Sequence, residues 1–390
     1  MKRMAVFLSL LMFLMAARAF AQEAGWPAGV TLPPRLAPIY PPPDPSLYRH
    51  TQVVKSNYGG TGIGSFWIYE PDAPRPDKAP VIAFVPGWTA MNPLHYGAWI
   101  EHLVRRGNIV LFLEYQDDST TPMEEMTGNA LADAHLAVDE ILHGKREDGT
   151  PHVTPDFSRF SLVGHSSGGI IAPNIAALAK ASDLPSPQLL FVMTPGRHLA
   201  SYQNPGRGEI FPLENLAGID PNTLVFSVAG ENDPFYGAKG RDAVEILEKA
   251  TSVPDNQKFF YLMRHIDSNP AQRSTHFFPS APNPAYDNGQ AEGSNPLGLQ
   301  ARFKRRMQGW MVANNLDYEL WRLFDETLQV RFDHGSWDMP VVPFDQLENY
   351  MRSYENVDAE ALHEQITGGS TGLTSRQAAA RARQGRQGRP

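Results

Sequence analysis

The sequence predicts an α/β fold, a mostly parallel central sheet flanked by helices on both faces. Three observations predict it. Short apolar runs alternate with amphipathic stretches of helical period, the order that makes successive strands parallel and lays helices across both faces. Several of those runs, such as "APVIAFVPG" (79–87) and "NIVLFLEYQ" (108–116), are continuously apolar, as in strands buried on both sides. Of 390 residues, 42% are hydrophobic and none is cysteine, so a sizeable core must hold by packing without disulfides. The absence of cysteine also excludes a cysteine nucleophile and a thiolate metal site.

The elements follow in order. "MKRMAVFLSLLMFLMAARAFAQ" has a basic start, an apolar run from Met4 to Ala16 and a small-x-small site at Ala19-Phe20-Ala21. Residues 1–21 therefore read as a signal peptide cut before Gln22, which places the mature chain in the periplasm or outside the cell. The run is short for a membrane span of ~20 residues, and no other segment is apolar enough to cross a bilayer. Residues 22–49 are dense in proline and read as an extended leader. "HTQVVKSNY" and "GSFWIYEP" read as a hairpin joined at Gly59-Gly60. The two continuous runs are strands, with a helix over "NPLHYGAWIEHLVRRG" between them. "TGNALADAHLAVDEILHG" is an amphipathic helix closed by Gly144. Strands follow in "RFSLVG", "PQLLFVMTP", "NTLVFSVAG" and "QKFFYLMR", with helices from about Ser167 and around "DAVEILEKA". Late helices are expected in "GLQARFKRRMQGWMVANN" and "DYELWRLFDETL". One domain over 50–329 accounts for these elements. Residues 330–369 form an extension of unassigned structure, and the Arg-rich 370–390 a disordered tail.

The stretch that carries chemistry is "FSLVGHSSGGIIAPNIAALA", Phe160 to Ala179. Gly164-His165-Ser166-Ser167-Gly168 fits G-x-S-x-G between a strand and a helix. Glycines there permit a tight, strained turn that lifts a serine hydroxyl above the sheet edge. The competing use of the same residues is a glycine-rich turn with Ser166 or Ser167 as helix cap. The strand-turn-helix setting favours Ser166 as a nucleophile, with the Ser167 amide at the helix N-terminus as a donor to an oxyanion.

A serine nucleophile needs a base, and the base an orienting acid. Such groups lie beyond the carboxyl ends of parallel strands. Asp233, three residues past the strand of "TLVFSVAGENDPF", is the expected acid, with Glu231 competing. His276 in "STHFFPSAP" is the expected base, with His265 at the preceding strand end competing. A loop can carry the His276 imidazole back over the sheet edge. The second oxyanion donor is expected at the amide of Trp88 in "FVPGWTAMNP", where Gly87 lets the backbone approach a substrate. The rings of Trp88, Phe277 and Phe278 are expected at the site rim. His135, Asp139 and His143 share one helix face, and Asp333, His334 and Asp338 cluster in "RFDHGSWD". Neither set brings enough ligands for a metal. H-E-x-x-H, phosphate-loop and dinucleotide patterns are absent from the sequence.

From Thr51 to roughly Asn315 the chain resembles the α/β-hydrolase superfamily. The resemblance rests on GHSSGG, GENDPF, STHFFP and their Ser…Asp…His order. It implies an eight-stranded, mostly parallel sheet and hydrolysis through an acyl-enzyme, without a cofactor. Among the branches it looks most like secreted esterases of the dienelactone hydrolase, chlorophyllase and polyester hydrolase kind, with Pro86-Gly87-Trp88 where others carry HGGG. A small-molecule carboxylic ester is then the expected partner. An amide hydrolase, or a binding protein on the same scaffold, are the alternatives, and oligomeric state is left open. Pro195 to Asn222, between two core strands, is rich in Gly, Pro and Asn, so no broad apolar lid is expected there.

The chain carries a net charge of −8. Lys2, Arg3 and Arg18 sit in the leader, and the last fifteen residues hold five arginines and no acid. The body between is therefore more acidic than the whole, which argues against a nucleic-acid-binding surface.

Overall fold

The computed structural model describes residues 43–118, 120–197, 211–233, 240–266, 272–289 and 315–351. The chain divides into two compact units, 38–344 and a second made of 1–37 with 345–390, of which the described residues 345–351 are helical. The expected signal peptide, most of the proline-rich leader, nearly all of the helix expected over 298–315 and the tail lie outside the described residues.

One nine-stranded sheet organises the larger unit, in the order β1-β2-β4-β3-β5-β6-β7-β8-β9. β1 (Gln52–Tyr58) and β2 (Ser65–Asp72) form the expected antiparallel hairpin, and β2 runs antiparallel to β4 (Ile109–Glu114). β3 (Lys78–Val85), β4, β5 (Thr154–His165), β6 (Leu189–Met193), β7 (Leu224–Gly230) and β8 (Lys258–Met263) are mutually parallel. The ninth strand, β9 (Val342–Pro343), lies antiparallel to β8. Two residues are too few to show a period, so the expected sheet of about eight strands lacks this edge.

The chain leaves β3 towards β4 and returns past it to β5. Connections on the two sides of β3 therefore diverge, and a crevice opens beyond the carboxyl ends of β3 and β5. The loop of Trp88 and the turn of Ser166 both begin there.

Both faces of the sheet are buried, which is why the strands read as continuous apolar runs. Ile82 and Phe84, Val110 and Phe112, Leu189 and Phe191, and Leu224 and Phe226 face one side with period two and share one cluster. Helices α1 (Gly97–Arg105) and α5 (Asn315–Phe332) cover that side. The Trp99 ring stands edge-on to Phe84 at 5.6 Å and to Phe324 at 5.5 Å. The alternate residues Val81, Ala83, Leu111, Leu162 and Leu190 are equally buried. α2 (Met123–His143), α3 (Gly168–Leu178) and α4 (Arg241–Lys249) complete the helical layers, and Asn174 of α3 donates to Thr127 of α2 at 3.0 Å.

α1 is shorter than expected. Asn92 accepts from the Leu94 amide at 3.0 Å, and a 3-10 turn over Pro93–Tyr96 comes first. Proline at the first helical position fits a start there, and the tight turn places Tyr96 under the crevice. Pro173 lies inside α3 without ending it; the helix runs on to Leu178. His135, Asp139 and His143 are exposed on α2. Among the described residues no helix is long and apolar enough to cross a membrane.

Candidate active site

Ser166 follows the last residue of β5 and adopts φ +58°. That left-handed conformation costs a non-glycine residue on the order of 1–3 kcal/mol. Three backbone hydrogen bonds hold the turn: Ser166 N to Met193 O at 3.1 Å, and Gly169 N and Gly196 N to Ser166 O, both at 2.9 Å. At roughly 0.5–1.5 kcal/mol each they offset the strain.

The flanking glycines are a steric need. A Cβ at Gly164 would stand 2.2 Å from the Gly168 oxygen, and one at Gly168 would stand 2.1 Å from the Val85 oxygen. The turn is thus pressed against both β3 and its own helix. Neither serine acts as a side-chain cap for α3. Ser167 makes no capping bond; its hydroxyl lies 2.7 Å from Tyr115 Oη.

The Ser166 hydroxyl lies 2.7 Å from His276 Nε2, and His276 Nδ1 lies 2.9 Å from Asp233 Oδ2. Three residues remote in sequence therefore form one hydrogen-bonded row. With Nδ1–H donating to the carboxylate, Nε2 is left to accept from Ser166. His276 is only 2% exposed. Its loop is tied to the Asp233 turn: Asn232 N donates to Ser274 O at 3.2 Å and Glu231 N to Ser274 Oγ at 3.1 Å. A Cβ at Gly230 would stand 2.3 Å from that Ser274 oxygen, so a glycine must end β7.

The competing residues pair with one another instead. Glu231 Oε2 accepts from His265 N at 2.9 Å and lies 2.6 Å from His265 Nδ1, while Arg264 Nε donates to Glu231 Oε1 at 3.2 Å.

Gly87 brings the Trp88 loop onto the turn, since a Cβ there would stand 3.1 Å from Ser166 Cβ. Thr89, at φ +60°, donates its amide to Gln116 Oε1 at 2.6 Å, and Ala90 N returns to Gly87 O at 3.0 Å. The amides of Trp88 and Ser167 find no acceptor among the described residues. Both sit beside Ser166, at the positions expected to serve an oxyanion.

Trp88 and Phe277 are half-buried, and the Phe277 ring stands edge-on to His276 at 5.4 Å. Phe278 departs from the expectation of a rim residue. It is 2% exposed and belongs to the main core. Within the turn that follows Thr275, adjacent side chains point opposite ways, and Phe278 turns in towards Gly230.

Sequence reasoning missed the polar groups beneath these residues. Tyr96, His165, Tyr115 and Thr194 are all fully buried near the turn. Tyr115 Oη donates to Pro86 O at 2.9 Å and accepts from Ser167 Oγ, so one phenol joins the two amide-bearing segments. Burial raises the Tyr96 and Tyr115 phenols far above their ordinary range, which keeps both as neutral donors. Tyr115 had a readable signal, a polar aromatic one residue past a buried parallel strand.

Strand order and the serine turn between β5 and α3 together decide the fold type. The fold is that of the α/β hydrolases. No protein-family model matches the chain, and no curated protein does. Among solved structures, carboxyl esterase 2 from the mycorrhizal fungus Tuber melanosporum is similar at 17% identity and TM-score 0.42, covering 70% of this chain and 88% of that one. A thermostable esterase from Pseudomonas putida gives 15%, 0.42, 78% and 89% on the same measures. A fungal esterase from Rhizomucor miehei gives 13%, 0.44, 75% and 88%.

Proposed function

We propose that this chain is an exported serine hydrolase of carboxylic esters. The observation that carries the proposal is the row Ser166–His276–Asp233, set on a strained turn beside two amides with no acceptor among the described residues. In this reading Ser166 Oγ attacks the ester carbonyl carbon while His276 Nε2 takes its proton. The carbonyl oxygen becomes an oxyanion held by the Trp88 and Ser167 amides. Asp233 holds the imidazole in the required tautomer and stabilises the imidazolium. His276 then protonates the departing alcohol, leaving an acyl group on Ser166. Water, deprotonated by the same imidazole, releases the acid and restores the serine.

The half-buried rings of Trp88 and Phe277 favour a modest apolar acyl or alcohol group, and the acidic body disfavours anionic esters. Short- to medium-chain uncharged esters are the substrate class proposed.

Ser166→Ala is the decisive variant. It should keep its melting temperature and lose turnover of p-nitrophenyl esters by roughly a million-fold, with fluorophosphonate labelling abolished. Retained turnover in Ser166→Ala, or cleavage of peptides faster than esters by the parent, would sink the proposal. Export rests on the leader of residues 1–21. Intact-mass analysis of protein recovered from the envelope should find a chain beginning at Gln22. A chain that keeps Met1 and sediments with membranes would argue for an anchor instead.

A further inference from the structure

The buried polar groups under the site form a second row that the proposed reaction does not use. Gly87 N donates to Tyr96 Oη at 3.0 Å, Tyr96 Oη lies 2.7 Å from His165 Nδ1, and His165 Nε2 lies 2.8 Å from the backbone oxygen of His276. Thr194 Oγ1 also donates to that oxygen at 3.3 Å. The row starts at the residue before Trp88 and ends at the residue proposed as base.

Proton counting gives the row one direction. Tyr96 has a single hydroxyl proton, and its oxygen already accepts the Gly87 amide. That proton goes to His165 Nδ1, because the His276 carbonyl facing Nε2 can only accept and so takes the one ring proton of the neutral imidazole. The ring proton of His165 therefore sits on Nε2, and Nδ1 is left to accept. Each donor has one acceptor, and no buried proton faces another. Burial, helped by the nearby His276, pulls the His165 imidazole down to about 3, so this arrangement does not titrate in the working range. A neutral ring also suits its place: the His165 and His276 ring centroids are 5.2 Å apart, and an imidazolium there would oppose the one forming on the base.

We infer that Tyr96 and His165 are positioning residues that lock the amide-bearing loop at Gly87-Trp88 to the backbone of His276, and so fix where the oxyanion donors stand relative to the base. The inference rests on the hydrolase reading above. His165 is well placed for this, because it precedes Ser166 on the same strand end. The nucleophile, base and amide loop then share one reference frame, and a shift at either end of the row moves the reacting atoms apart. Displacements of about 1 Å cost a reaction of this type on the order of a hundredfold.

The test uses the full chain, an uncharged p-nitrophenyl ester and fluorophosphonate titration of active sites, so that turnover is counted per labelled serine. His165→Phe removes both hydrogen bonds of the ring. Tyr96→Phe removes the hydroxyl between Gly87 and His165. Each should lower kcat per labelled site by roughly tenfold to a hundredfold with KM changed by less than about threefold. His165→Gln, which returns an amide N–H near the Nε2 position, should recover most of the loss. A residue that only supports the fold would lower the melting temperature or the labelled fraction and leave kcat per labelled site alone. Parental kcat per labelled site in Tyr96→Phe, or no recovery in His165→Gln, overturns the inference. Should His165→Phe not fold, Tyr96→Phe decides. Ser166→Ala is assayed alongside. If it is dead while Tyr96→Phe turns over normally, this inference alone fails; if Ser166→Ala is active, the hydrolase reading falls and takes the inference with it.

Discussion

Asp233 and Glu231 stand two residues apart on one turn, and each holds a histidine. Asp233 meets the Nδ1 of an imidazole whose other nitrogen reaches a serine, whereas Glu231 meets a strand-end histidine, that residue's own amide and an arginine. The first arrangement can relay the consequence of a proton moving on and off Nε2. The second is a closed brace that ties the end of β7 to the end of β8. The two acids should therefore fail differently. Asp233→Asn presents an amide where the Nδ1–H needs an acceptor and favours the wrong tautomer, so kcat should drop by about ten-thousand-fold with little change in melting temperature. Glu231→Gln keeps the shape but weakens charge-assisted bonds to a largely buried pair, at a cost of about 1–3 kcal/mol in stability. Its kcat per labelled site should stay near the parent's. Steady-state kinetics and thermal melts of the two variants check both statements; a Glu231→Gln enzyme slower than Asp233→Asn would reverse the roles.

At the level of elements, most of the fold was legible because both faces of the sheet are covered. β6 is apolar at every position, and β3, β4 and β7 depart from that only at Lys78, Glu114 and Ser227, so their runs stand out without any need for alternation. The start of α3 was legible from Gly168, whose small size lets it sit against β3. Asp233 and His276 were expected near Ser166 from a topological argument, that loops beyond the carboxyl ends of parallel strands meet at the crevice, and the three side chains do share one hydrogen-bonded row. What escaped depends on contacts between remote residues. β9 is two residues long and exists only through its pairing with β8. Phe277 and Phe278 are identical in type and adjacent, and only the turn's geometry sends one to the rim and the other to the core. The row Gly87–Tyr96–His165–His276 joins a loop, a 3-10 turn, a strand end and another loop. Period and spacing say where a buried face lies, but not which polar group on it meets which.

Across the whole molecule, buried titratable groups set stability against pH with opposing signs. His165 is one: its pKa of about 3 lies below its ordinary 6.5. The unfolded chain binds its proton first as pH falls, so the His165 contribution rises with pH through that window and is complete above about 6.5. Glu114 and Asp133 are the opposite case. Both are 0% exposed and anchor the turn between β1 and β2, with Gly62 N donating to Glu114 Oε2 at 2.8 Å and Gly64 N to Asp133 Oδ1 at 2.9 Å. Burial pushes each carboxyl up to about 7, and for Asp133 the Glu114 charge adds to it. Asp133 Oδ2 has no partner among the described residues, so no donor is there to stabilise a second carboxylate oxygen as an anion. Between the ordinary carboxylate range and about pH 7 the folded state holds more protons than the unfolded one. Stability from these two acids is therefore full below their unfolded pKa values, declines as pH rises, and is lowest above about 7. His165 partly masks that decline below 6.5, so the parent's curve alone does not isolate it. The difference between Asp133→Asn and the parent does. Asparagine keeps an oxygen for the Gly64 amide and cannot ionise. The variant should melt within about 1 °C of the parent at pH 5 and at least about 2 °C above it at pH 8. Thermal melts at matched ionic strength give both numbers. An equal difference at the two pH values, or an asparagine variant that melts below the parent at pH 8, would mean that Asp133 is not held protonated by the fold.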